Sequence, residues 1–294
     1  MVAPSLIPKG GSDRVKTDKR DSVRLTRLHR AGEPTAIRVP APAEEAVRDL
    51  ARVRSAVLAD RKRAQQRLTA VLMRHGRIWR QGSYWTGPHR AWIAAQSFDE
   101  PALATTLDCY RASLGTRETE LACIDSELAP WARRDPLAGT VTRLCCYRGI
   151  AELTALTLAA EVADWRRFPS ARAFMGYTGL VPAEYCSGGR TRRGHITKAG
   201  SGPVRTALIE AGWAYRYKPA IGVTLRRRQE HAGPQAISHA GPQAISRSWQ
   251  AQRRLHGKYR AMTARGKSAP EAVTEAVTAI ARELAGFGWA EITG

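Results

Sequence analysis

The run from Ala43 to His75 holds 33 residues with neither glycine nor proline, and within it Val47, Leu50, Val53, Val57, Leu68, Val71 and Leu72 recur at helical intervals. The spacing predicts one long polar helix, which must find a partner for its apolar stripe. Gly76, Gly82, Gly87 and Pro88 break the pattern. A second long polar helix is predicted from Pro101 to about Arg134, carrying Leu103, Leu107, Leu114, Leu121, Ile124 and Leu128. Together they read as an antiparallel helical hairpin of coiled-coil type. Such a hairpin serves as a spacer or dimerisation arm more naturally than as a catalytic element.

Helical periodicity dominates elsewhere too, so the chain reads as mainly α. Val2 to Ile7 is predicted to form one extended strand, placed at a sheet edge or strand start by Pro4. Thr17 to Arg30 is predicted to be a short helix with Val23, Leu25 and Leu28 on it, ending at Gly32 with Pro34 beyond. Pro40 and Pro42 mark a connector, and from Pro136 shorter helices are punctuated by Gly149, Pro169, Gly176, Gly179 and Pro182. Three segments follow: 1–40, the hairpin 41–135, and a domain over 136–294. The octapeptide from His231 to Ser238 recurs unchanged as His239 to Ser246, which reads as a duplication tolerated in an irregular surface loop; metal binding by His231 and His239 lacks further ligands nearby.

The charge balance narrows the function. Lys and Arg number 47 against 26 Asp and Glu, a net +21. This excess favours polyanionic partners, nucleic acid first and an anionic membrane surface second, over cationic or neutral metabolites. Residues 188–228 alone hold ten Lys or Arg against one acid, Glu210. The apolar stretch Ile150 to Trp165 is interrupted by Glu152, Glu161 and Asp164, so no membrane span is expected. The N-terminus lacks the features of a secretory signal, and the five cysteines form no C-x-x-C pair, which fits a reducing cytoplasm.

Three groups of residues are candidates for chemistry. Asp18 and Asp21 lie three apart at the start of a predicted helix, a spacing that lets two carboxylates hold Mg²⁺ against a phosphate; acids in a first turn also simply offset the helix dipole. Lys16 adds a nearby phosphate contact. The segment from Gly179 to Gly200 surrounds Ser187 with glycines and with Arg190, Arg192, Arg193 and Lys198. Glycines let a backbone approach a phosphate, guanidinium groups stabilise charge at a phosphoryl centre, and Ser187 is then a nucleophile in need of activation, or part of a turn that grips a backbone. Cys186 is its chemical competitor. Leu144 to Leu153 resembles half of a helix-hairpin-helix, with Ala151 where a second glycine would sit, so packing outweighs phosphate contact there. Trp213, Tyr215, Tyr217 and Trp249 are either base-stacking or core residues, and Arg205 is a further candidate phosphate contact.

The stretch Val15-Lys16-Thr17-Asp18 to Asp21, the long hairpin, Arg167-Phe168 through Gly179-Leu180-Val181-Pro182, the Ser187-Gly188 pair, Ile196 to Gly200 and the closing Ile280 to Leu284 together resemble the DEDD transposases of the IS110 (IS116, IS902) group of bacterial insertion sequences. The resemblance covers nearly the whole chain. It implies a RuvC-like domain of RNase H type at the N-terminus, a coiled-coil linker and a C-terminal transposase domain. In that picture Asp18 and Asp21 match the last two members of a tetrad that binds Mg²⁺, and Ser187 matches a serine that becomes joined to a DNA phosphate. DNA at element ends and targets, a structured noncoding RNA and further copies of the chain are the implied partners, in a cytoplasmic, nucleoid-associated setting. The pattern also places Met1 just before the last RuvC-like strand, leaving the first Asp and the Glu without counterparts. The expectation is an N-terminally truncated copy with an incomplete metal site and impaired strand exchange, the alternative being a non-catalytic DNA- or RNA-binding remnant.

Overall fold

A computed structural model describes residues 2, 7, 17–33, 37–187, 190–232, 241–264 and 269–294; for 186, 187 and 190–193 it describes the backbone. The chain divides into two compact units, Met1–Glu45 and Ala46–Gly294. The described elements are mainly helical, as expected. The expected strand from Val2 to Ile7, and with it the RuvC-like sheet, falls largely outside the described residues.

In the first unit, helix α1 (Asp18–Arg30) begins where the sequence predicts, because the Thr17 side chain accepts the Arg20 N–H at 3.3 Å and so caps the helix. None of its residues is buried. Arg38 and Glu44 pair at 2.7 Å, and Glu44 also accepts the Ala41 N–H, which fixes the chain as it enters the next helix.

The long helix α2 (Pro42–Arg74), which lies in the second unit from Ala46 onward, begins at a proline, a residue that needs no N–H partner in a first turn. Its companion α4 (Pro101–Leu128) buries Leu107, Leu114, Leu121 and Leu128, one every seven residues. The pairing is antiparallel: Val47 and Leu128 share one cluster, Arg54 bonds Asp125, and Leu68, Val71 and Leu72 cluster with Leu107 and Leu114. Pro130 ends α4 in a 3-10 turn, Ala129–Arg133, short of the expected Arg134. The glycines and Pro88 predict only a break at the tip of the hairpin, but Pro88 opens a short helix there, α3 (Gly87–Ala94).

The tip is organised around His89, which is 1% exposed. Its Nδ1 accepts the Trp85 N–H at 2.8 Å, and the rings of Trp79, Tyr84, Trp85 and Trp92 surround it. Burial, and secondarily the charge of Arg90, lower its pKa below the ordinary value. Neutral His89 is therefore favoured in the fold; its contribution is full above about pH 6.5 and is lost as pH falls below that value. Near-ultraviolet circular dichroism of the tryptophans is expected to weaken between pH 7.5 and pH 5, and His89→Asn, which keeps an acceptor but cannot protonate, to flatten that response.

The remaining helices are α5 (Leu137–Cys145), α6 (Glu152–Val162), α7 (Ala171–Tyr177), α8 (Gly202–Gly212), α9 (Val223–His231), α10 (Gly241–Thr263) and α11 (Ala269–Thr293). They pack with the base of the hairpin into one core, which is why residues on both sides of Pro136 fall in a single unit. Helix α11 buries Ala276, Ile280, Ala281, Leu284 and Ala285 along its length, the small residues allowing close approach of its neighbours. The turn after α5 is tied down by Gln229 Nε2 and Ser248 Oγ, both donating to the Cys146 carbonyl at 3.0 and 2.6 Å.

The repeated octapeptide corrects one expectation. Residues 233–240 lie outside the described residues, but Gly241 to Ser246 of the second copy are not loop: they open α10, with Gly241 and Ala244 buried. Pro242 is compatible with helix because it falls in the first turn. His231 ends α9, exposed, with Nδ1 against the Arg227 carbonyl at 2.6 Å.

Candidate functional site: a basic hairpin and an acidic pair

Ser187 lies at the end of a β-strand rather than in an irregular loop. Strand β1 (Pro182–Ser187) pairs antiparallel with β2 (Arg190–Ile196), and the register sets Ser187 opposite Arg190, Cys186 opposite Thr191, Tyr185 opposite Arg192 and Glu184 opposite Arg193. The sequence carried the signal in Gly188-Gly189, a pair favoured in two-residue hairpin connections. The flanking residues are too polar to show the alternation that identifies a half-buried strand. The ribbon is solvated near its middle, where Tyr185 is 71% exposed. Serine and the first arginine of the cluster thus occupy one rung, and Cys186 occupies the next.

The base of the ribbon is held by backbone against backbone. Thr197 N–H donates to Val181 O at 2.9 Å and Lys198 N–H to Gly179 O at 3.1 Å. Gly179 and Gly200 both have positive φ, and a Cβ on Gly200 would stand 1.8 Å from the Tyr177 carbonyl oxygen. Lys198 also adopts a positive φ, 55°, and is exposed. Arg205 Nη1 donates to Thr178 O and Ala199 O at 3.0 and 3.1 Å, clamping the two segments that the glycines bring together. The charge of Arg205 suggests a phosphate contact and says nothing about such internal use.

Other basic residues of 188–228 are also engaged inside the fold. Arg228 Nη1 donates to Ile150 O at 2.9 Å. Arg216 lies over the rings of Trp213 and Tyr217, both exposed, whereas Tyr215 is core. The Leu144 to Leu153 turn faces the protein: a Cβ on Gly149 would stand 2.4 Å from Ala211 O, and the N–H groups of Cys146, Tyr147 and Ile150 are already bonded within the turn. Burial pushes the thiols of Cys145 and Cys146 up to about 11 and about 12, so neither is a nucleophile at neutral pH.

Asp18 and Asp21 occupy the first turn of α1, and Asp21 N–H bonds Thr17 O. They belong to the first unit and the serine ribbon to the second. Among the described residues no three His, Cys, Asp or Glu converge where a metal ion could be held. Lys16 lies outside the described residues. No described helix is long and apolar enough to cross a membrane.

Two family models match the chain. One, described as a transposase of the DEDD class of IS110, matches residues 4–76, and the other, described as the transposase IS116/IS110/IS902 family, matches residues 141–222. The acidic pair lies in the first span and the serine ribbon in the second. The chain is 41% identical over 290 residues to a Sinorhizobium fredii protein named "Putative transposase y4qE", covering 99% of this chain and 68% of that one. It is 30% identical over 269 residues to the transposase for insertion sequence element IS1533 of Leptospira borgpetersenii, covering 88% of this chain and 74% of that one. At this level of sequence identity and coverage the class is that of insertion-sequence transposases. The chain belongs to the IS116/IS110/IS902 transposase family.

Proposed function

We propose that this chain binds DNA and exchanges its strands through Ser187. The observation that carries the reading is the rung joining Ser187 to Arg190 at the end of a solvated basic ribbon whose base is rigidly clamped. In the proposed step the serine Oγ attacks a DNA phosphorus, an Oγ–P bond forms and one P–O ester bond breaks. The serine proton leaves to a base, and the departing deoxyribose oxygen is protonated. Arg190, Arg192, Arg193 and Lys198 offset the charge that gathers on the phosphate, a role that guanidinium groups fulfil well. Arg205 contributes by holding the ribbon's base.

The family's DEDD description points to a divalent metal, of which Mg²⁺ is our assignment. Asp18 and Asp21 alone do not fit such an ion, since hard cations take about six oxygen ligands, and no third acidic or His residue joins them among the described residues. We assign them as partial contributors and route no step through a metal. The same reading takes a structured RNA as the source of specificity and two or more copies of the chain as the working assembly.

The test uses the full chain with radiolabelled duplexes carrying the DNA on either side of its reading frame, followed by denaturing electrophoresis. A covalent protein–DNA species mapping to Ser187, and absent in Ser187→Ala, is the expected result. Mapping to Cys186 would overturn the assignment of the nucleophile. No covalent species, together with salt-sensitive binding that Ser187→Ala leaves intact and that substitution of Arg190, Arg192 and Arg193 weakens, would favour the non-catalytic binding reading.

A further inference from the structure

The tip of the helical hairpin is strongly basic. Residues 61–98 hold eight Lys or Arg and no Asp or Glu. Two of these cations are neutralised by neighbours outside the run, Arg63 by Asp60 and Arg90 by both oxygens of Glu118. Lys62, Arg67, Arg74, Arg77 and Arg80 are exposed. A second copy of this surface would meet the first with like charge, so the tip is ill suited to self-association. A polyanion is its electrostatic complement.

Against this background lies an open cleft of about 410 Å³, within the range of roughly 300–1,000 Å³ typical of small-ligand sites. Its floor is one face of α2, with Lys62, Gln66, Thr69 and Met73 spaced at helical intervals, and its wall is Tyr84 and Trp85. Tyr84 is 45% exposed. Trp85 sits at φ 62°, a left-handed conformation that residues with a side chain rarely adopt. It is held there by the bond from its N–H to buried His89 and by the Thr86 hydroxyl bonded to Ser83 O at 3.0 Å. Backbone strain retained beside an open cleft marks the aromatic wall as a placed feature. An aromatic face, amide and hydroxyl groups able to meet a base edge, and a lysine among unpaired cations make a site for an unpaired nucleotide.

We propose that the cleft holds an unpaired base of a single-stranded DNA segment, stacked on Tyr84, with Lys62 and the neighbouring arginines on the flanking phosphates. Strand exchange exposes such segments, so the choice of DNA rests on the function proposed above, while the site is separate from the serine ribbon. A duplex cannot use it, because its bases are already stacked and paired.

Two measurements on the full chain test this. In the first, a single-stranded oligodeoxynucleotide containing 5-iododeoxyuridine is photocrosslinked to the protein and the tryptic peptide 81–90, which contains Tyr84 and Trp85, is sought among the products. In the second, fluorescence anisotropy with labelled single-stranded DNA, single-stranded RNA and duplex DNA is compared for the parent chain, Tyr84→Ala, Tyr84→Phe and Lys62→Ala. The expected results are a crosslink in that peptide, an approximately tenfold loss of single-strand DNA affinity in Tyr84→Ala and a change below about twofold in Tyr84→Phe. Duplex binding should change less than about twofold in every variant, and Lys62→Ala should lower the salt slope of single-strand binding by about one. Absence of the crosslink, an unchanged affinity in Tyr84→Ala, an equal loss on duplex, or an effect confined to RNA would each overturn the proposal. A Ser187 adduct without a crosslink at the tip would sink this inference alone; a crosslink without the adduct would retain it and sink the nucleophile.

Discussion

Gly200→Ala is expected to lower the stability of the chain by about 3 kcal/mol and to cut the proposed formation of a Ser187–DNA adduct by roughly a hundredfold. The new Cβ would stand 1.8 Å from the Tyr177 carbonyl oxygen and 2.9 Å from its carbon, both backbone atoms that no rotamer change can move away. The positive φ of Gly200 adds roughly 1–2 kcal/mol for any residue with a side chain. Relief requires the segments ending at Gly179 and Gly200 to part, which loosens the bonds from Lys198 N–H to Gly179 O and from Arg205 to Thr178 O and Ala199 O. Each such bond contributes about 1 kcal/mol. The effect on chemistry is larger because the ribbon grows from this junction, and a displacement of about 1 Å at a reacting group costs about a hundredfold in rate. Gly176→Ala is the matched control: nothing lies within 4 Å of its Cβ position, and it lies within α7. Urea denaturation and assay of the covalent DNA adduct check the pair. If Gly200→Ala unfolds like the parent chain and retains full adduct formation, the junction does not position the ribbon.

How much of this was legible in the residues differs by element. The long helices were legible because they lack glycine and proline over whole turns, and the seven-residue spacing from Leu107 to Leu128 is written in the sequence. Helix α1 was legible from Val23, Leu25 and Leu28 and from the stop at Gly32 with Pro34 beyond, whereas its Thr17 cap is shown only by the structure. The short helix α3 was not, because Gly87 and Pro88 serve equally as breakers or as a first turn, and only packing of Ile93 against Leu68 and Leu107 decides. The ribbon was missed because a solvated two-stranded element has no core face to impose alternation. At the candidate site, the nearness of Ser187 to the arginines was legible from their spacing, and the register sets Ser187 opposite Arg190. Arg205 and Arg228 were not, since a guanidinium that clamps carbonyls and one that meets a phosphate look alike in a sequence. The cleft at the hairpin tip was hidden for another reason: its floor and wall lie on either side of a turn, and nothing in the spacing brings Lys62 to Tyr84.

The junction beneath the ribbon is also tied to the long hairpin, and the tie is asymmetric in a way that predicts mutational behaviour. Glu161, with its side chain 2% exposed, accepts Arg52 Nε at 2.7 Å and Nη2 at 3.2 Å, and accepts the Ser201 hydroxyl at 3.0 Å. Ser201 in turn caps α8, its Oγ accepting the Val204 N–H, one residue beyond Gly200. Removing Arg52 leaves a buried carboxylate with one hydroxyl for company. Breaking a fully buried pair costs about 3–5 kcal/mol; because the Arg52 side chain is 51% exposed and water can enter its place, the expected loss for Arg52→Leu is about 2–3 kcal/mol. Glu161→Leu should cost about 1 kcal/mol, since Arg52 can turn to solvent and a leucine fills an apolar site. The double variant should then resemble Glu161→Leu alone, so that adding Glu161→Leu to Arg52→Leu restores stability. A double-mutant cycle in urea measures this directly. Simple additivity of the two losses would show that the pair is uncoupled. The cycle also separates folding from function: Arg52→Leu disturbs the cap of α8 and should lower adduct formation beyond what its stability loss explains.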